Sequence, residues 1–226
     1  MEIPTIPVRI SNGNVLASHM VFSGAFPSMT ENTIGFNDLI SSLSNVCAKD
    51  VPILAVDVFG IQKKDIIPEL LRRTKTKREL WYMTGIRNAG DVMDAFQGDM
   101  SKIIVPYNLT SDTLLREIVE ISDSCMPALF AEREEVYSKG NKKKGLRSCV
   151  KTLSNMNFRK IIVFDAAGGL AWEDLRDLVD TVIPYAPSAE DAEILRKIGF
   201  RDVLVSGVKL FQRASERSEI RSCMLP

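Results

Sequence analysis

Histidine is almost missing from this chain, and what cysteine there is lies scattered. The single histidine, His19, excludes a His-rich metal site and any two-histidine proton relay. Cys47, Cys125, Cys149 and Cys223 stand far apart with no Cys-x-x-Cys spacing, which argues against zinc and against a secreted disulfide framework. Net charge is absent too. The 29 basic residues balance 29 acidic ones, so no global field draws the protein to nucleic acid or to a membrane surface. No apolar run approaches the roughly 20 residues that span a bilayer, and no basic-then-apolar leader opens the sequence. No Gly-x-Gly-x-x-Gly follows the first apolar stretch, and nothing points to a nucleotide loop, a flavin, a metal or another cofactor. These absences leave a cytoplasmic protein of ordinary globular composition, expected to form one domain over residues 1–226.

What is present is a regular beat. At residues 79–94, Leu80, Trp81, Tyr82 and Met83 make an apolar run of strand length, and Thr84-Gly85 turns the chain. Asn88 then stands as an N-cap ahead of Asp91, Val92 and Phe96 at helical spacing. The same strand–turn–helix unit recurs. Strands are expected over residues 3–10, 51–58, 80–83, 103–105, 126–131, 160–164, 181–183 and 203–205, each followed by a helix-sized connection. Pro4 and Pro7 suit an edge or a strongly twisted first strand. Ile34, Leu39, Ile40, Leu43 and Val46 predict one helix; Ile66, Ile67, Leu70 and Leu71 predict the next. Thr110, Ser111 or Asp112 would cap a third, Ser188 caps another that Gly199 stops, and an amphipathic segment closes the chain. Residues 19–31 and 139–147 read as loops. Eight such units indicate a parallel sheet and a single (β/α)8 (TIM) barrel in the α/β class, with an open doubly wound sheet as the poorer fit.

In that architecture the site lies at the carboxyl ends of the strands. Reading there gives Arg9, Asp57, Arg87, Asn108, Glu132, Asp165, Tyr185 and Ser206. Glu132 and Asp165 are the candidate acid/base pair, because two carboxylates with different surroundings can split into acid and base. Asp57 is a further candidate base, and equally suits a helix cap before Gly60. For an anion, Ser206-Gly207 with Lys209 offers one turn and Thr84-Gly85 with Arg87 another. Arg87 could instead pair with Asp91. The turn at Pro184-Tyr185-Ala186-Pro187 has no glycine and fewer donors, so part of the usual phosphate cradle is missing. The basic residues 139–147 read either as a solvated loop or as a cationic lid from which Lys144 and Arg147 reach inward.

The order of these turns resembles the histidine-biosynthesis barrels, the phosphoribosylformimino-aminoimidazole carboxamide ribotide isomerase and its sister cyclase, and most of all archaeal proteins related to them. The likeness rests on Pro7-Val8-Arg9-Ile10-Ser11-Asn12-Gly13, Val56-Asp57-Val58-Phe59-Gly60, Thr84-Gly85-Ile86-Arg87 and Phe164-Asp165-Ala166-Ala167-Gly168-Gly169. It implies a ribulose-phosphate-binding barrel that binds a phosphorylated metabolite. Those enzymes place an aspartate near the end of the first strand, where this chain has Arg9, and their second aspartate corresponds to Glu132. Arginine stays protonated and cannot act as a base, so the histidine-pathway reaction is not expected. The expectation is a divergent isomerase or lyase. It would act on a small phosphorylated or carboxylated metabolite, with Arg9 and Arg87 on the anion. The alternative is a barrel without catalysis that serves as a ligand-binding or protein-interaction module, with Met20, Phe22, Phe26 and Met29 as a contact surface.

Overall fold

The computed structural model describes residues 1–213 apart from Val46, Lys75, Asn141 and the side chain of Leu71. The helical expectation at Val46, the scattered position of Cys223 and the amphipathic segment beyond residue 213 lie outside the described residues. Eight parallel strands close into a barrel: β1 (Glu2–Ser11), β2 (Ile53–Asp57), β3 (Leu80–Met83), β4 (Lys102–Pro106), β5 (Cys125–Glu132), β6 (Ile161–Asp165), β7 (Val182–Ala186) and β8 (Val203–Ser206). Pairing of β8 with β1, and of β4 with β5, completes the ring. Around it lie α1 (Phe36–Leu43), α2 (Val58–Lys63), α3 (Pro68–Arg73), α4 (Ala89–Gln97), α5 (Asp112–Ile121), α6 (Leu146–Asn155) and α7 (Ala189–Ile198). A 3-10 helix at Trp172–Leu178 stands between β6 and β7, and residues 207–213 are helical.

Strands buried on both faces read as continuous apolar runs, and the period of two divides each run between two cores. Leu54, Val56, Ile104, Phe130, Ile162, Phe164, Ile183 and Leu204 fill the lumen. Ile53, Ala55, Val105, Leu129, Val163 and Val205 face outward, against helix residues such as Leu39, Leu115 and Leu195. Capping follows the sequence where the cap is local. Asn88 accepts from the Asp91 N–H, Ser111 from Leu114 and Ser188 from Asp191. No helix among the described residues is long and apolar enough to cross a membrane.

The structure departs from the sequence reading in several places. Ile34 lies in a short strand ahead of α1, and Ile66 and Ile67 precede α3. Of the two settings expected for Pro4 and Pro7 the edge is excluded, because a closed barrel has none: they sit in a strand paired on both sides, Pro4 opposite Val205 and Pro7 opposite Val56. Val58 opens α2 rather than ending β2, since Asp57 caps the helix one residue earlier. Residues 19–31 are not an open loop. Met20–Ser23 and Phe26–Met29 form a hairpin that turns at Gly24, whose φ of 57° is easy only for glycine. Residues 139–147 are likewise no loop: Glu135–Ser138 pairs with β5 and with Lys142–Gly145, and α6 starts at Leu146. Three consecutive lysines have low strand propensity, and here tertiary partners override it.

Candidate functional site

The first hairpin occupies the carboxyl-terminal mouth of the barrel. Phe22 packs against Phe130, Phe164 and Tyr185 at ring-centroid distances of 6.2, 5.7 and 6.3 Å, and Phe130 and Phe164 stack at 5.3 Å. Ala25 at the tip is buried, and its carbonyl accepts from Asn108 Nδ2 at 3.3 Å. Asn108 Oδ1 is buried and has no donor among the described residues. The second hairpin stands beside the first, with Tyr137 packed on the lumen cluster.

Strand parity sorts the expected site residues. Met126, Ala128 and Phe130 face the lumen, so Glu132 continues the lumen side of β5. Ile162 and Phe164 face the lumen, so Asp165 falls on the other side of β6; Leu54 and Val56 do, so Asp57 points outward from β2. Glu132 and Asp165 therefore stand at the ends of adjacent strands on opposite faces, and are not brought together as a pair.

Glu132 is half-exposed. Its Oε2 accepts from the Tyr137 hydroxyl and from Lys143 Nζ, each at 2.5 Å. The Lys143 and Tyr137 hydrogen bonds hold the carboxyl below its ordinary range, and the carboxylate in turn raises the Tyr137 phenol. The residue that reaches Glu132 from the basic arm is thus Lys143. Lys144 Nζ goes to the Tyr107 hydroxyl at 3.3 Å, and Arg147 pairs with Asp177 at 2.8 Å. Antiparallel pairing of this arm on β5 was the signal that sequence reading missed, because the lysines masked it. Tyr137 and Lys143 were missed with it.

Asp57 is fully buried as the N-cap of α2. Gly60 N–H donates to its Oδ1 at 2.8 Å, while the Tyr82 hydroxyl (2.8 Å) and Thr84 Oγ1 (3.1 Å) donate to its Oδ2. Burial pushes its carboxyl up to about 6 against the pull of those donors. The Thr84-Gly85 turn is filled by protein: a Cβ on Gly85 would lie 2.4 Å from the Gly60 carbonyl oxygen and 2.6 Å from Lys64 Cα. Arg87 is engaged by Asp65 at 3.1 Å and Asp91 at 3.2 Å. Burial would raise the Asp91 carboxyl, yet hydrogen bonds from the Arg87 side chain and N–H leave it lowered. An anion at this turn would have to displace both carboxylates.

Asp165 Oδ2 accepts from the Leu170 N–H at 3.0 Å, closing the Gly168-Gly169 turn, while its Oδ1 is buried without a donor among the described residues. Arg9 lies past the ring, where β1 runs on against Asn14–Ala17. It is exposed, has no ion-pair partner among the described residues, and lines a groove of about 330 Å3 with Ser11, Ser28 and Gln62. Ser206 Oγ accepts from the Lys209 N–H at 3.5 Å, and burial pushes the nearby Tyr185 phenol up to about 12. Gly207 is buried against Ile6, and the Lys209 side chain is exposed. Compared with known proteins, the sequence matches no family model and no curated protein.

Proposed function

We propose that the protein is an enzyme of the isomerase or lyase kind, acting by acid/base chemistry on a small phosphorylated or carboxylated metabolite at the barrel mouth. The observation that carries this reading is Glu132, a half-exposed carboxylate on the lumen side of a strand end, with a phenol and an ammonium on the same oxygen. Kept ionised by these donors, Glu132 can take a proton through Oε1, which no donor reaches among the described residues. Tyr137 and Lys143 stand beside it to donate to the oxygen on which charge develops. Arg9 supplies a free guanidinium for the anionic group. The resemblance to the histidine-biosynthesis barrels supports the location of the site rather than the reaction, since arginine cannot fill the seat of their first-strand aspartate. A cytoplasmic setting belongs to the same reading, and Cys47, Cys125 and Cys149 are free thiols.

The substrate would enter by displacing Phe22, and that contact favours a second reading, a barrel that has lost catalysis and uses its mouth for binding. A thermal-shift screen of phosphosugars, ribotides and small carboxylates tests both. A ligand at 100 times its Kd stabilises by about 2.7 kcal/mol. With a hit in hand, Glu132→Gln is expected to lower turnover by about 100-fold or more. Unchanged turnover in both Glu132→Gln and Arg9→Ala would end the enzymatic reading. Tight binding with no conversion would establish the second.

A further inference from the structure

A separate cleft opens between the ends of β6 and β7, beside the first hairpin, with a volume of about 290 Å3. Its chemistry is the opposite of a phosphate site. Three aromatic rings, Phe22, Trp172 and Tyr185, line it together with the carboxylates Asp165 and Asp191. Its lining holds no lysine, arginine or histidine among the described residues. Ile194, 53% exposed, adds an apolar lip. The two carboxylates are not equivalent. Asp191 Oδ2 already accepts from the Ser188 hydroxyl at 2.6 Å. Asp165 Oδ1 is a buried acceptor with no donor among the described residues, which in a folded protein calls for a partner. The Gly168-Gly169 turn above it leaves open space, with nothing within 4 Å of a Cβ built at either position.

We propose that this cleft is a binding site for a small organic cation, a protonated amine carrying an apolar or aromatic body. The Asp165 carboxylate would turn to bring Oδ1 onto the ammonium, which would lie against the faces of the aromatic rings, whose quadrupoles attract cations. The body would rest on Ile194 and the rim. Acidic residues in the first turn of α7, Glu190 and Asp191, turn an anion away from the same place. Glu132 is not part of this lining, and the proposal does not rest on the catalytic reading given above.

A charge series with one body tests it: phenethylamine, 2-phenylethanol and phenylacetate, titrated by calorimetry and followed by fluorescence of Trp172. The amine is expected to bind at least tenfold more tightly than the alcohol, with no binding of the carboxylate. Asp165→Asn should lower amine affinity at least tenfold and leave the alcohol unaffected. Trp172 sits in the cleft, so its fluorescence should respond in wild type and, against the remaining Trp81 signal, lose that response in Trp172→Phe. Equal binding of all three compounds, no amine binding up to about 10 mM, a ceiling weaker than about −3 kcal/mol, or an Asp165→Asn protein with wild-type amine affinity would each overturn the proposal. Should Asp165→Asn misfold, Ile194→Lys, which places a cation on the lip, is expected to weaken the amine selectively, and wild-type affinity there would count against the site.

Discussion

The two sides of the barrel mouth solve the problem of polar groups at strand ends in opposite ways. On the β2–β3 side every group is spoken for. Asp57 receives three donors, Arg87 holds two carboxylates, and Gly60 and Gly85 interlock so closely that no side chain fits between them. On the β4–β7 side acceptors are left over: among the described residues Asn108 Oδ1 and Asp165 Oδ1 lack donors, and Glu132 keeps one oxygen open. Burying an unmatched acceptor costs about 1–3 kcal/mol. A rim that is satisfied throughout is a fastening, whereas a rim with open valences is where a ligand has something to gain.

The largest expected effect breaks the fastening. Gly85→Ala drives a methyl into the Gly60 carbonyl and the Lys64 backbone, neither of which can rotate away. We expect a loss of about 3 kcal/mol or more in urea denaturation. Gly168→Ala, on the other side, meets open space and pays only for its φ of 77°, about 1 kcal/mol. Comparable losses in the two variants would erase the contrast.

A middle-sized effect concerns Asp57. Its folded pKa of about 6 lies above that of an unfolded aspartate, near 3.9, so the native state binds the proton more readily. This contribution to stability is fully present below the unfolded value and is lost as pH rises through 6. Wild type should therefore gain on the order of 2 kcal/mol from this group between pH 7 and pH 4, against the usual acid destabilisation from other carboxylates. In Asp57→Asn that component should vanish from the difference between the two pH–stability curves. Parallel curves would show that Asp57 titrates in the fold as it does in the unfolded chain, and so is already ionised there above about pH 4.

The smallest effect is on the open side. Lys143→Met removes one donor from Glu132, and the Glu132 carboxyl should rise toward its ordinary range, as read by carboxyl carbon NMR titration. Thermal stability should hardly move, because half-exposed ion pairs contribute little. A large drop in melting temperature would make the arm a structural brace instead.

How much of this was legible in the sequence follows from the range of the interactions involved. The eight strands could be read because each is apolar on both faces, as in Ile161-Ile162-Val163-Phe164, and the caps Asn88, Ser111 and Ser188 because they act within four residues. The two hairpins could not. One is written in serine, glycine, proline and methionine, the other in lysine, and both depend on partners far along the chain. The faces of Glu132, Asp57 and Asp165 were implicit in the alternation of their strands. The meeting of Gly60 with Gly85, and of Lys143 with Glu132, was not, since loops meet only once the barrel closes.

The prolines within the barrel bear on what happens when the ring opens. Pro4, Pro7, Pro106, Pro127 and Pro184 interrupt β1, β4, β5 and β7. Each leaves a gap in the row of N–H groups that an exposed strand could offer to a neighbouring chain. Of the proline-free strands, β2 and β6 end in Asp57 and Asp165, and in the opened chain an ionised carboxylate repels its own copy in register. Short apolar segments of high strand propensity are the seeds of cross-β aggregation, and charges and prolines are what keep such seeds from growing. The residues that seemed out of place in a sheet thus act as gatekeepers for the chain during the moments when it is unfolded.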